Sequence, residues 1–310
     1  MRYVLVMADA AMASTESQGV LARGLDALRG LLPLRFRVGV PVVPIVRLTG
    51  VIGFSTPLRP GLTLSTCAKS LARAFATPNA KAVALVINSP GGSAVQSHLI
   101  FRRIRALSEE KRLPAIAFVE DAAASGGYMI ACAADEIIAD PSSIVGSIGV
   151  VGGSFGFNRL IEKIGIERRL YTSGEHKAML DPFLPEKPED VERLKEIQRE
   201  IHVNFIALVR SRRGGKLSGA ESTLFSGEYW TGERAVSLGV VDGLGDLRGV
   251  LRARYGDKLV TPVIAAERGL LGRRLFGADA GFESAWTRPS LADEIVTALE
   301  TRAMWARYGL

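Results

Sequence analysis

Ala82-Val83-Ala84-Leu85-Val86-Ile87-Asn88-Ser89-Pro90-Gly91-Gly92-Ser93 opens with six apolar residues and closes on a polar turn with two glycines. Six apolar residues without polar alternation read as a strand buried on both faces, the mark of a parallel sheet with helices on either side. Before this stretch the spacing predicts a strand over 42–48 and a helix over 62–76, with Leu64, Ala68, Leu71 and Phe75 on one side. After it come a helix from Ser93 to about Leu107, a strand over 115–119 and a small-residue helix over 125–134. Short strands over 136–139 and 148–151 follow, then helices over 158–164 and 188–212. Strands alternating with helices predict an α/β fold with a largely parallel sheet.

The composition excludes several classes. Hydrophobic residues make up 47% of the 310, enough to bury a large core and exclude wholesale disorder. The two cysteines, Cys67 and Cys132, form neither a metal cluster nor a disulfide framework. The three histidines have no ligand spacing, so neither a metal nor a cofactor is expected. Mean hydropathy is positive at +0.18. Even so, the best apolar run near the N-terminus, Val38 to Val46, falls short of the roughly 18 residues a membrane span needs and contains Pro41 and Pro44. Residues 1–13 resemble a secretory signal only faintly, because Asp9 cuts the apolar core short.

Charge is placed unevenly. Lys and Arg exceed Asp and Glu by 39 − 32 = 7, and part of the excess lies in an N-terminal arm, residues 1–37. There Leu21, Leu25, Leu28 and Leu32 have helical spacing, followed by Arg35 and Arg37. The arm reads as a helix packed on its own chain or a neighbour, or as a basic amphipathic segment on an anionic membrane surface. The cluster Arg210-Ser211-Arg212-Arg213 suits a helix C-terminus, and without interleaved aromatics it gives no nucleic-acid reading. Residues 247–310 read as a helical extension with a helix over 291–306.

Two strand-to-helix turns carry the chemistry. In the turn 88–93, glycines let backbone N–H groups approach a ligand at a helix start, where negative charge on an oxygen is stabilised. It lacks the residues of a phosphate or dinucleotide loop, so an acyl oxyanion is the better ligand. In Asp121-Ala122-Ala123-Ala124-Ser125-Gly126-Gly127-Tyr128, small neighbours leave Ser125 unshielded, and the N–H of Gly126 lies beside it. A nucleophilic serine needs a base. His98 and His202 fall within predicted helices, which leaves His176 or Lys177 in the polar loop 171–178. Lysine can serve when desolvation favours its neutral amine.

These turns, with Gly146-Ser147-Ile148-Gly149-Val150, Ser173-Gly174-Glu175-His176-Lys177 and the block from Phe225 to Ala235, resemble in order the motifs of the signal peptide peptidase A family in its short single-domain form. The resemblance covers about residues 42–246 and implies a ClpP/crotonase-like fold of repeated ββα units, with a peptidase domain over 38–246. It implies Ser125 as nucleophile and Lys177 as general base of a Ser-Lys dyad, the Gly92 and Gly126 N–H groups as oxyanion hole, and Ser147 as the residue orienting the lysine. It further implies a homo-oligomer, commonly an octameric ring, with serine and lysine from adjacent subunits, and peptide or protein substrates of apolar character. Many members carry a membrane-anchoring helix that this sequence does not display. The expectation is therefore a cytoplasmic peptidase, held peripherally at the inner face of the membrane if the arm binds there. Two other readings compete. One is an acyl-CoA hydratase or isomerase of the crotonase type; the other is a ring-forming scaffold without activity.

Overall fold

The computed structural model describes residues 40–53, 61–265, 299 and 301–310. The arm 1–37 and most of the predicted helix over 291–306 lie outside them.

Among the described residues, seven strands form one sheet: β1 (Ile45–Thr49), β2 (Val83–Ser89), β3 (Ala115–Ala124), β4 (Glu136–Ala139), β5 (Ile144–Gly146), β6 (Tyr229–Thr231) and β7 (Gly243–Leu244). The order β1-β2-β3-β4-β7 is parallel throughout. The predicted run at 83–87 is central in it, and alternate residues serve opposite faces. Val83, Leu85 and Ile87 join the larger apolar core with Leu48, Leu71, Ile100 and Ile130, whereas Ala84 and Val86 join Ile45, Phe118, Ile138 and Leu251 on the other side. Both faces are covered, so no position in the run can be polar.

Helices α1 (Leu64–Phe75), α2 (Ala94–Lys111) and α3 (Gly126–Ala131) pack on the larger core. Each starts where the sequence supplies a stop for the preceding segment. Thr63 and Thr66 form a reciprocal capping box at α1. Ser93, the last residue of the glycine turn, caps α2 by accepting the Gln96 N–H at 3.3 Å. Further along lie α4 (Asn158–Lys163), α5 (Pro188–Arg213), α6 (Glu221–Leu224), α7 (Gly232–Ser237) and α8 (Leu247–Tyr255). Leu251 of α8 closes the smaller core.

Strand β3 differs most from the sequence reading. It runs on through Glu120 and Asp121 and changes partner on the way. Residues 116–119 pair with β4, while Ala122, Ala123 and Ala124 pair with Ile144, Val145 and Gly146 of β5. The sheet therefore forks at the end of β3, and β6 extends the second branch in antiparallel register.

The strand expected over 148–151 is a correction. The extended residues are Ile144–Gly146, and Gly146 and Ser147 then both take positive φ, 104° and 54°. Left-handed backbone breaks a strand, so Ile148 to Val151 leave the sheet as a loop. Among the described residues no helix is long and apolar enough to cross a membrane, and no group of three His, Cys, Asp or Glu is placed to hold a metal.

Candidate active site

The fork in the sheet presents Ser125. It follows Ala124, the last residue of β3, and precedes α3, at φ 52° and ψ −120°. A non-glycine residue in that region costs about 1–3 kcal/mol and persists only where its surroundings hold it. Here they do. The Ser125 N–H donates to the Gly146 carbonyl at 2.8 Å, and its own carbonyl accepts the Met129 N–H at 3.0 Å. Pinned at both ends, the residue leaves its side chain on the wall of a groove of about 1050 Å³.

The turn 88–93 forms the opposite lip. Gly92 has φ 140°, and a Cβ there would fall 2.1 Å from the Ile52 carbonyl oxygen, so no other residue fits. The Ile52 N–H donates to the Gly91 carbonyl at 2.8 Å and the Ser93 N–H donates to the Ile52 carbonyl at 2.8 Å, which sews the turn to the segment after β1. A Cβ placed on Gly91 would lie 2.8 Å from Ser125 Cβ and 3.1 Å from Gly126 N, a measure of how closely the two turns approach. Neither the Gly92 nor the Gly126 N–H donates to a backbone acceptor among the described residues. Two free donors beside a serine hydroxyl can bind an oxyanion.

Ser147 lies on a third turn, is 8% exposed and lines the same groove. Its N–H donates to the Glu228 carbonyl at 2.6 Å. Four of the five expected residues, Gly92, Ser125, Gly126 and Ser147, thus share one groove. The fifth, Lys177, does not line it. Lys177 sits exposed in a turn, its N–H donating to the Gly174 carbonyl at 3.2 Å, within a stretch that leaves Val151, Phe155, Ile164, Ile166 and Tyr171 uncovered. His176 is likewise exposed.

His202 is the residue sequence reasoning passed over. Placed on α5, it lines the groove, and its Nε2 is 3.0 Å from the Ile148 carbonyl oxygen. The spacing Ile201, Phe205 and Leu208 marks a face of α5 turned inward, and His202 borders that face. Met129, Val150, Ile201 and Phe205 supply apolar wall, and no Asp or Glu appears among the described lining residues.

Behind the site, α5 is tied to the chain leading into β7. Arg213, 3% exposed, donates to Asp242 Oδ2 at 2.6 Å and to the Gly239 carbonyl at 2.7 Å. Lys216 donates to Asp242 Oδ1 at 2.6 Å, and the Ile137 N–H donates to Oδ2 at 2.7 Å. Burial alone pushes the Asp242 carboxyl up, but these donors outweigh it and hold the carboxyl below its ordinary value. Tyr128 of α3 donates to the Val240 carbonyl at 2.8 Å, so the helix that starts at Ser125 is fixed to the same segment.

Two family models match the chain. The model of a ClpP-like SDH-type serine proteinase matches residues 5–162, and that of peptidase family S49 matches residues 107–258. The chain is 56% identical over 287 residues to a protein of Brucella abortus named Na(+)/H(+) antiporter NhaA, covering 91% of this chain and 39% of that protein. It is 37% identical over 171 residues to the chloroplastic serine protease SPPA of Arabidopsis thaliana, covering 54% of this chain and 24% of the relative. The chain thus spans well under half the length of these relatives. A solved structure of the 1510-N membrane-bound stomatin-specific protease with a substrate peptide aligns over 84% of this chain and 99% of that one, with 17% identity and a TM-score of 0.44. From the two family models, which between them span the strands, the glycine turns and Ser125, the chain belongs to the serine peptidases of family S49, with a ClpP-like fold.

Proposed function

We propose that the chain is a serine endopeptidase that cleaves short apolar peptides or unfolded segments with a Ser125–Lys177 dyad. The observation that carries the reading is Ser125 itself, held at φ 52° on an apolar groove that it shares with Gly92 and Gly126, whose N–H groups have no backbone acceptor among the described residues. In the reaction, Ser125 Oγ attacks a peptide carbonyl while its proton passes to the neutral Lys177 amine. The carbonyl oxygen, now anionic, is held by the Gly92 and Gly126 N–H groups. Lys177 returns the proton to the leaving amine, and water then releases the acyl group from Ser125 by the same route. Ser147 accepts a hydrogen from the amine and keeps its lone pair on Ser125.

Lys177 reaches Ser125 from a neighbouring copy. Supporting this, Lys177 lies outside its own chain's groove, and its stretch exposes Val151 at 70%, Phe155 at 78% and Tyr171 at 89%. Apolar side chains of that size favour burial in a subunit interface. A closed ring, such as an octamer, gives every serine a lysine. The chain works at the inner face of the membrane, held by the basic arm 1–37; the Brucella relative's name is that of a membrane antiporter. The acyl-CoA hydratase reading is disfavoured, because that chemistry wants a carboxylate base and none lines the groove among the described residues.

Hydrolysis of casein tests the reading. Wild type should cleave it, and Ser125→Ala and Lys177→Ala should each be inactive; activity surviving in either variant removes the dyad. Sedimentation with anionic vesicles should be lost on deleting residues 1–37, and equal binding by the shortened chain removes the membrane placement.

A further inference from the structure

Residues 301–310 lie against the groove, contributing Ala303, Met304, Arg307 and Tyr308 to its lining. The contact is specific. The Tyr308 hydroxyl points at Ser147 Oγ, 3.2 Å away, and at the Pro90 carbonyl oxygen, 3.4 Å away. Pro90 precedes the two glycines of the lip opposite Ser125, and Ser147 stands on the turn bonded beside Ser125, so this single hydroxyl bridges the groove next to the serine. Two further contacts seat it: the Tyr229 hydroxyl donates to the Arg307 carbonyl at 3.1 Å, and the Tyr229 and Tyr308 rings meet edge to face at 4.9 Å. Tyr229 belongs to β6, which pairs with β5 next to Ser147.

We propose that residues 301–310 form an autoinhibitory strap, which bridges the groove through Tyr308 and must withdraw before a peptide can lie across Ser125. The inference rests on the peptidase reading above. The Tyr308 hydroxyl thus sits against Pro90, two residues before Gly92, and against Ser147, in the groove that a peptide must enter to reach Ser125. The strap also engages Ser147, the hydroxyl that the proposed mechanism reserves for the lysine. Its hold is modest, three hydrogen bonds and a ring pair at exposed or half-buried positions, so substrate can displace it. A strap closed most of the time raises the apparent KM by the ratio of all chains to open ones and leaves kcat unchanged.

The test compares casein hydrolysis by the full chain, by a variant lacking residues 299–310, and by Tyr308→Phe in the full chain. Thermal unfolding of each is followed by circular dichroism. Truncation should lower KM about tenfold at unchanged kcat, and Tyr308→Phe should lower it by a smaller factor in the same direction. A synthetic peptide of residues 299–310 should inhibit the truncated chain competitively. An unchanged or raised KM in Tyr308→Phe, with its unfolding transition intact, overturns the strap even if the truncated chain fails to fold. So does a truncated chain that folds and is no better than the full one. If no variant cleaves casein and a fluorophosphonate labels Ser125 in none, the peptidase reading falls and the strap with it. Labelling of Ser125 with equal KM values removes the strap alone.

Discussion

The backbone N–H of Ser125 donates to the carbonyl of Gly146 at 2.8 Å, so the residue that bears the hydroxyl is hydrogen-bonded to the residue before Ser147. Two turns of positive φ, at 125 and 147, are thereby locked side by side. The strain at Ser125 follows from its place in the sheet. Ser125→Gly should relieve it and stabilise the chain by about 1 kcal/mol while abolishing hydrolysis. Urea unfolding and a casein assay on the same sample check both halves; a less stable variant would mean the φ is not strained.

If serine and lysine come from different copies, two inactive variants can repair each other. Ser125→Ala and Lys177→Ala, unfolded together and refolded as a mixture, should regain about a quarter of wild-type activity, the share of sites that random mixing gives both intact residues. Each variant refolded alone should stay inactive. A mixture with no activity, although mixed oligomers are seen by native mass spectrometry, places both members of the dyad in one chain.

Gly92→Ala should cost twice over. Its Cβ would meet the Ile52 carbonyl oxygen at 2.1 Å, so the turn must move and carry its N–H away from the proposed oxyanion hole. Activity should drop about 10²- to 10³-fold, as when one oxyanion donor is lost. Unfolding free energy should fall by about 1–3 kcal/mol. A variant with wild-type kcat would show that the Gly92 N–H does not bind the oxyanion.

Asp242 sets an acid limit. Its carboxyl is held below the ordinary value in the folded chain, so the unfolded chain binds the proton more readily. Its contribution is complete above about pH 4, the unfolded value, and is lost as pH falls through the folded one. Asp242→Asn leaves Arg213, 3% exposed, without a counter-charge, and should cost about 3 kcal/mol at pH 7. The cost should shrink toward pH 3, which urea unfolding at the two pH values measures. An equal cost at both removes the assignment.

Neither cysteine should matter to catalysis. Burial pushes the thiols of Cys67 and Cys132 up to about 11 and about 12, leaving almost no thiolate at pH 8. Iodoacetamide at that pH should leave casein hydrolysis intact, and inhibition would place one of them within reach of solvent.

Much of this architecture is legible in residue order. The unbroken apolar run at 83–87 has no polar position because both faces of β2 are covered; Gly91 is there because Ala124 and Ser125 leave no room for a side chain, and Gly92 because Ile52 leaves none. What escapes reading depends on partners distant in sequence. Glu120 and Asp121 look like a strand end, yet β3 continues, because β5 takes over its hydrogen bonds at Ala122. Ile148 to Val151 are apolar enough for a strand, but the φ values at 146 and 147 turn them out of the sheet. His202 reads as one more residue of a long helix; only the approach of α5 to Ile148 brings it to the groove. Tyr308, 161 residues from Ser147, leaves no local signature at all.

The forked end of β3 has a consequence for how the molecule opens. The Ser125 amide is bonded to β5, and the strand that carries it is bonded on both sides, to β2 and to β4 and then β5. Its hydrogen should therefore exchange with solvent only when the whole sheet comes apart. The amides of Ser173 to Lys177 sit in exposed turns and should exchange by local fluctuation. The proposed dyad thus pairs the part of the molecule slowest to release its protons with one of the fastest.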